Sequence, residues 1–190
     1  RANDRGLISN AALVTISVMF INQAPTFNLG FNPAVNEDSG AQTVLNFMTN
    51  VTPGPSNETG QTLTLTVTAA TPTLFAAQPA LDMGAGTLTY TPAANAFGST
   101  AVTVTLQDNG GTANGGVDVT TKVFTITLNA VNDVPAFATG ANQTVRIDSG
   151  PQLVAGWASG ISTGPANESA QTLTFSVTTS NNALFAILPS

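Results

Sequence analysis

The chain has 190 residues and a formal net charge of -6, from 4 basic against 10 acidic side chains. Only 7% of residues are charged, where soluble domains usually carry about a quarter, so Thr, Ser, Asn and Gly must hydrate the surface. Cysteine and histidine are both absent, which excludes a disulfide framework, a thiolate zinc site and any imidazole ligand or base. No basic stripe exists to meet nucleic acid. No apolar run is long enough to insert in a membrane.

In chain order, the first apolar run, Leu13 to Ile21, alternates with Thr15 and Ser17 and predicts a strand from Leu13 to Val18. After it the sequence predicts seven strands: A from Phe27 to Val35, B from Thr43 to Thr49, C from Gln61 to Ala69, D from Leu74 to Pro79, E from Thr87 to Pro92, F from Thr100 to Gln107 and G from Thr120 to Ala130. Leu63, Leu65 and Val67 alternate with threonines, as do Val102, Val104 and Leu106, and Phe124, Ile126 and Leu128. One face of each run is apolar and the other hydrated, as in antiparallel sheets packed face to face. Turn chemistry punctuates the runs at Pro53-Gly54-Pro55, Gly84-Ala85-Gly86, Asn95 to Gly98 and Asp108 to Gly116. No helical stripe interrupts them. Seven such strands suit an immunoglobulin-like sandwich. Phe47, Phe75, Phe97 and Phe124 are its expected bulk, and Tyr90 points inward with Leu88.

The chain also repeats itself. Phe27 to Pro79 lies over Phe137 to Pro189 without a gap, at an offset of roughly 110 residues, the size of one small β-sandwich. SNETGQTLTLTVT from Ser56 matches ANESAQTLTFSVT from Ala166, Asp38-Ser39-Gly40 matches Asp148-Ser149-Gly150, and LVTISV falls on VFTITL from Val123. The expected organisation is therefore the last strand of a preceding repeat in residues 1–24, a complete sandwich in 25–134 and the first half of another in 135–190. Trp157 falls where Phe47 sits and reads as a core residue. The fold class is all-β, as tandem seven-stranded immunoglobulin- or cadherin-like sandwiches.

Strand parity sends the B–C and F–G loops to the end where the chain enters, and the A–B and E–F loops to the end where it leaves. The scarce acids fall in these loops: Glu37 and Asp38 at A–B, Glu58 and Glu168 at B–C, Asp108 and Asp118 around F–G, with Asn132 and Asp133 in the linker. Two readings stay open. They are solvated turn residues, whose side chains bond their own backbone, or oxygen ligands for a hard cation at a junction. Catalysis has no footing. Serines have no His to activate them and no GxSxG elbow, and Glu37 and Asp38 are neighbours on one turn with no cleft between them. The lone Lys122 is a poor base for a repeated crosslink.

The linker AVNDVPAF, the EDSG turn and the SNETGQTLTLTVT and DNGGTANGGVD segments resemble the cadherin-like, immunoglobulin-like repeats of large bacterial surface proteins. The resemblance implies a non-catalytic, secreted or surface-anchored stalk, fibre or adhesin, often with calcium between domains. Its ligands would be Glu37, Asp38, Asn132, Asp133 and Glu168 at the second junction, with Glu58, Asp108 and Asp118 weaker candidates. The first linker matches worse, with Gln23 in place of Asp133 and Met19 in place of Asn129. Neighbouring repeats or other copies are the expected partners, together with a cell-surface or glycan ligand. The alternative is an accessory carbohydrate-binding module, which would need an exposed Trp or Tyr platform.

Overall fold

The computed structural model describes residues 3–8, 11 and 13–190. Among them are thirteen short or long β-strands, four single 3-10 turns and no α-helix. A minimal hairpin, β1 (Asn3–Asp4) and β2 (Leu7–Ile8), turns through Arg5 and Gly6 at positive φ. The expected strand from Leu13 to Val18 does not form. Those residues are unpaired, with Leu13, Val14, Ile16 and Val18 exposed. A strand needs a partner ladder to be stable, and no described residue offers this one a ladder.

Downstream, two sheets face each other across a common core. The expected strand A divides at Pro33 into β3 (Thr26–Leu29) and β4 (Ala34–Asn36), because proline cannot donate to a ladder. The expected strand B likewise divides into β5 (Gln42–Val44) and β6 (Met48–Thr52), with Asn46 at φ 54° between them. Then follow β7 (Leu63–Ala69), β8 (Phe75–Asp82), β9 (Thr87–Pro92), β10 (Gly98–Asp108) and β11 (Val119–Asn129). One sheet has the order β4-β11-β10-β7. On the other side, β5-β9-β8 and the pair β3-β6 complete the second layer. All pairings are antiparallel except β4 with β11, which is parallel.

The core follows from the period of two. Leu88, Val102, Val104, Leu106 and Ile126 are wholly buried, joined by Phe27, Phe47, Phe75, Tyr90, Phe124 and Leu128. Each such aliphatic side chain contributes about 1.5–3 kcal/mol relative to exposure. Phe47 meets Phe124 edge-on at 4.7 Å between centroids, and Phe75 meets Tyr90 at 5.9 Å. Phe97, expected inside, is half exposed. It follows Asn95 at φ 55° and precedes Gly98 at φ 123°, so it sits in a turn rather than in the alternation. Phe27, not among the expected core aromatics, is buried instead.

After the linker the chain begins the pattern again. The strands β12 (Ala136–Thr139) and β13 (Ala158–Ser162) pair antiparallel with one bulge. Ala136↔Ser162, Ala138↔Ser159 and Thr139↔Ala158 reproduce the register Thr26↔Thr52, Asn28↔Thr49 and Leu29↔Met48 of β3 and β6. The expected counterparts of C and D do not become strands. Trp157 is 40% exposed rather than buried. It still lies against Gly140 as Phe47 lies against Gly30, and its indole N–H donates to the Ala141 carbonyl at 3.0 Å.

Candidate functional site

The linkers are held by the loops that parity brings to them, and both use one device. At the first, the Gln23 backbone N–H donates to Glu58 Oε1 at 3.1 Å, and Gln61 Nε2 donates to Asn22 Oδ1 at 2.7 Å. At the second, the Asp133 N–H donates to Glu168 Oε1 at 2.8 Å, and Gln171 Nε2 to Asn132 Oδ1 at 2.8 Å. The loop aims the carboxylate by folding on itself. The Glu58 N–H bonds the Pro55 carbonyl and the Gln61 N–H bonds the Glu58 carbonyl, at 2.8 and 3.0 Å; the Glu168 loop repeats both, to Pro165 and from Gln171. Gly54 and Gly164 make room, since a Cβ on either would collide with the second carboxylate oxygen of Glu58 or Glu168.

These glutamates are nearly fully buried, at 2% and 5% exposure. A carboxylate is rarely buried without several partners. Here Oε1 of each has its linker amide, while Oε2 of each is buried with no partner.

The second junction gathers all five of its candidate residues. Glu37, 3% exposed, reaches the linker from the upstream side, and the Val131 N–H donates to its Oε1 at 2.8 Å. Glu37 and Glu168 thus take the amides two apart on one extended linker, from its two sides in sequence. Glu37 Oε2, Glu168 Oε2 and Asp133 Oδ2 are all buried and unpartnered. The carboxyl of Asp133 is held above the ordinary Asp range, first by desolvation and then by the negative charges of Glu168, Asp38 and Glu37. Asn132 Nδ2 donates to the Asp133 carbonyl at 3.0 Å. Asp38 spends one oxygen on the Asn95 N–H at 2.9 Å, a turn role. Among the described residues no three Asp, Glu, His or Cys side chains converge at metal-ligand spacing. A cation here would draw on carboxylate, amide and backbone oxygens together, the donor set that suits calcium.

The first junction is more closely knit than its linker sequence predicts. Asn22, 4% exposed, donates from Nδ2 to Asp108 Oδ1 and to the Val117 carbonyl, both at 2.8 Å. Asp108 Oδ1 also accepts the Gly110 N–H at 2.9 Å. Glu58 Oε2, Asp108 Oδ2 and Gln61 Oε1 remain buried without partners. Asp118 stands apart and accepts from Gln107 Nε2 at 3.1 Å. Sequence reasoning missed Asn22, Gln61 and Gln171. Their identity across the repeat, Asn22 with Asn132 in the linkers and Gln61 with Gln171 just after the glutamates, was the available signal. The aromatic platform of the carbohydrate-module reading loses Tyr90, which is 2% exposed with its hydroxyl pushed up in pKa by burial.

A family model described as bacterial Ig domain matches residues 22–120. The solution structure of the PKD domain of human KIAA0319 is similar at 15% identity and a TM-score of 0.35, covering 66% of this chain and 98% of that one. No curated protein matches. Among the described residues no helix is long and apolar enough to cross a membrane.

Proposed function

Because the chain belongs to the bacterial Ig domain family, we propose that it is a non-catalytic spacer or adhesive segment of a large extracellular surface protein, with calcium stiffening its second linker. Domains of this family are typically structural or adhesive parts of surface proteins. One observation carries the linker reading. Glu37 from before the linker and Glu168 from after it each bind a linker amide, and each leaves its other oxygen buried and unpartnered. Asp133, with a third such oxygen, lies in their field.

Calcium would have to draw together Glu37, Asp133 and Glu168, which do not stand at metal-ligand spacing on their own, with Asp38 and Asn132 as further oxygen donors. When bound it supplies positive charge that relieves carboxylate repulsion and fixes the hinge. Without it, a short polar linker between two bodies leaves them free to rock. Residues 27–128 carry their own core, so the gain lies in geometry more than in stability. Calorimetric titration of the chain with calcium, with hydrogen exchange at Val131 and Asp133, tests this. Binding with slowed exchange, both lost in Asp133→Ala, supports the reading. If neither calcium nor a chelator changes melting or exchange, the linker is held by its hydrogen bonds alone.

A further inference from the structure

A sandwich has exposed sheet edges, and an edge strand is a template for another chain unless it is guarded. Most of its edges are short or interrupted. The edge strand β8 contains Pro79 and two register irregularities against β9. On the opposite side, β4 and β5 are three residues each, and β3 has four with a bulge in its pairing. The remaining edge is β7. It runs seven residues in unbroken register with β10, from Ala69↔Val102 to Leu63↔Asp108, and terminates its sheet. Its sequence, LTLTVTA, has no charge, proline or glycine. No described residue pairs with its outer side.

The burial pattern records the same opening. On β10, Val102, Val104 and Leu106 are wholly buried, while Leu63, Leu65 and Val67, which point to the same side from the neighbouring strand, are only half-buried. Between this edge and the facing layer lies an open groove of about 370 Å³, lined by Leu65, Val67, Pro79, Ala80, Leu81 and Met83, where backbone polar groups are exposed beside the apolar side chains. An added strand with apolar residues at alternate positions would continue the ladder and fill that groove, which is recognition by strand addition.

We propose that the occupant is β7 of a second copy, paired antiparallel about a two-fold axis near Thr66. That register sets Leu65 of one copy opposite Val67 of the other, with both aimed into the groove, and threonine opposite threonine outside. The strand carries no charge, so two copies of it meet without repulsion even though the chain's net charge is -6. The interface is isologous. It makes one continuous sheet of eight strands and runs the two chains in opposite directions, the geometry of stalks meeting from facing surfaces. It is independent of the calcium reading, since it uses no linker residue.

The chain has no cysteine, so a single introduced thiol reports one contact. In Thr66→Cys, the two thiols face each other across the axis, and oxidation should give covalent dimers. Thr103→Cys, on the same face but on the interior strand β10, should give none. Thr66→Lys places like charges opposite one another and should weaken self-association, followed by sedimentation in chelator, about ten-fold. It leaves the fold intact by melting, because Thr66 is exposed. A chain that stays monomeric at high concentration would overturn the proposal. So would equal crosslinking at both cysteines, or association unchanged by Thr66→Lys.

Discussion

Residues 26–79 and 136–189 are two aligned copies of one repeat, identical at fewer than half of their positions and folded to different extents. Both make the A–B ladder, with the same strands, bulge and register. Both make the tight turn, with Asp38 and Asp148 at φ 57° and 60°, and with Gln42 or Gln152 reaching back to the serine and glycine carbonyls. They part where a strand needs a distant partner. LTLTVT from Leu63 becomes β7 because β10 stands beside it. LTFSVT from Leu173 has no such neighbour among the described residues and forms no strand, although Phe175 still meets Phe137 edge-on at 5.2 Å. Residues 34–36 and 42–44 are strands against β11 and β9; residues 144–146 and 152–154, without those partners, are not. Turns and caps are local and recur with the sequence. Strands belong to a pair, and their propensity is mostly packing.

Aligned substitutions sharpen this contrast. Phe47→Ala should cost about 3–5 kcal/mol in denaturant unfolding, since the ring is buried against Phe124. Trp157→Ala, at the matching position but 40% exposed, should cost under about 1 kcal/mol. Equal losses would mean that the second region has a core of its own. Gly54→Ala should cost about 1–3 kcal/mol by forcing Glu58 off the linker, and Gly164→Ala should free the second linker with less effect on melting. The readout is amide exchange at Gln23 and Asp133; if both amides stay protected, the glutamate clamps do not hold the linkers.

The smallest effect is electrostatic and has a definite sign. The pKa of Asp133 is raised in the folded chain, so the native state binds its proton more readily than the unfolded one. Its contribution to stability is therefore favoured at low pH and declines as pH rises from the ordinary Asp value near 3.9 through the raised one. In chelator, Asp133→Asn should hold the linker at neutral pH at least as well as the parent, with a flatter pH dependence of exchange at Asp133. Gln23, its counterpart at the first junction, makes the matching backbone amide hydrogen bond while carrying an uncharged side chain. A steeper pH dependence in the variant would contradict the assigned cause.

Much of the architecture was legible because its signals are periodic. The strand from Thr87 to Pro92 has the bounds the alternation gave it, and the buried sets on β10 and β11 follow the period of two. The breaks were less legible. Pro33 and Asn46 interrupt apolar runs that still alternate, so β4 and β6 appear only when one strand is seen to serve two partners. Phe97 looked interior because its size outweighed the turn residues around it. At the junctions, the acids were visible as scarce charge in loops. Their work on backbone amides was not, because a peptide N–H has no letter in the sequence.

The parallel pairing of β4 with β11 has a consequence under load. The chain enters before β3 and leaves after β11, so tension applied to it across this sandwich pulls β4 and β11 in opposite directions along their length. Their contacts, Ala34 with Thr127, Val35 with Leu128 and Asn36 with Asn129, are then strained together in shear instead of being opened one at a time like a zipper. Lys122 adds a tether on the same flank, its ammonium donating to the Phe27 carbonyl and lying 5.2 Å from the Phe27 ring centroid. Although only three residues long, with Val35 packed against the core, β4 thus resists stretching in shear.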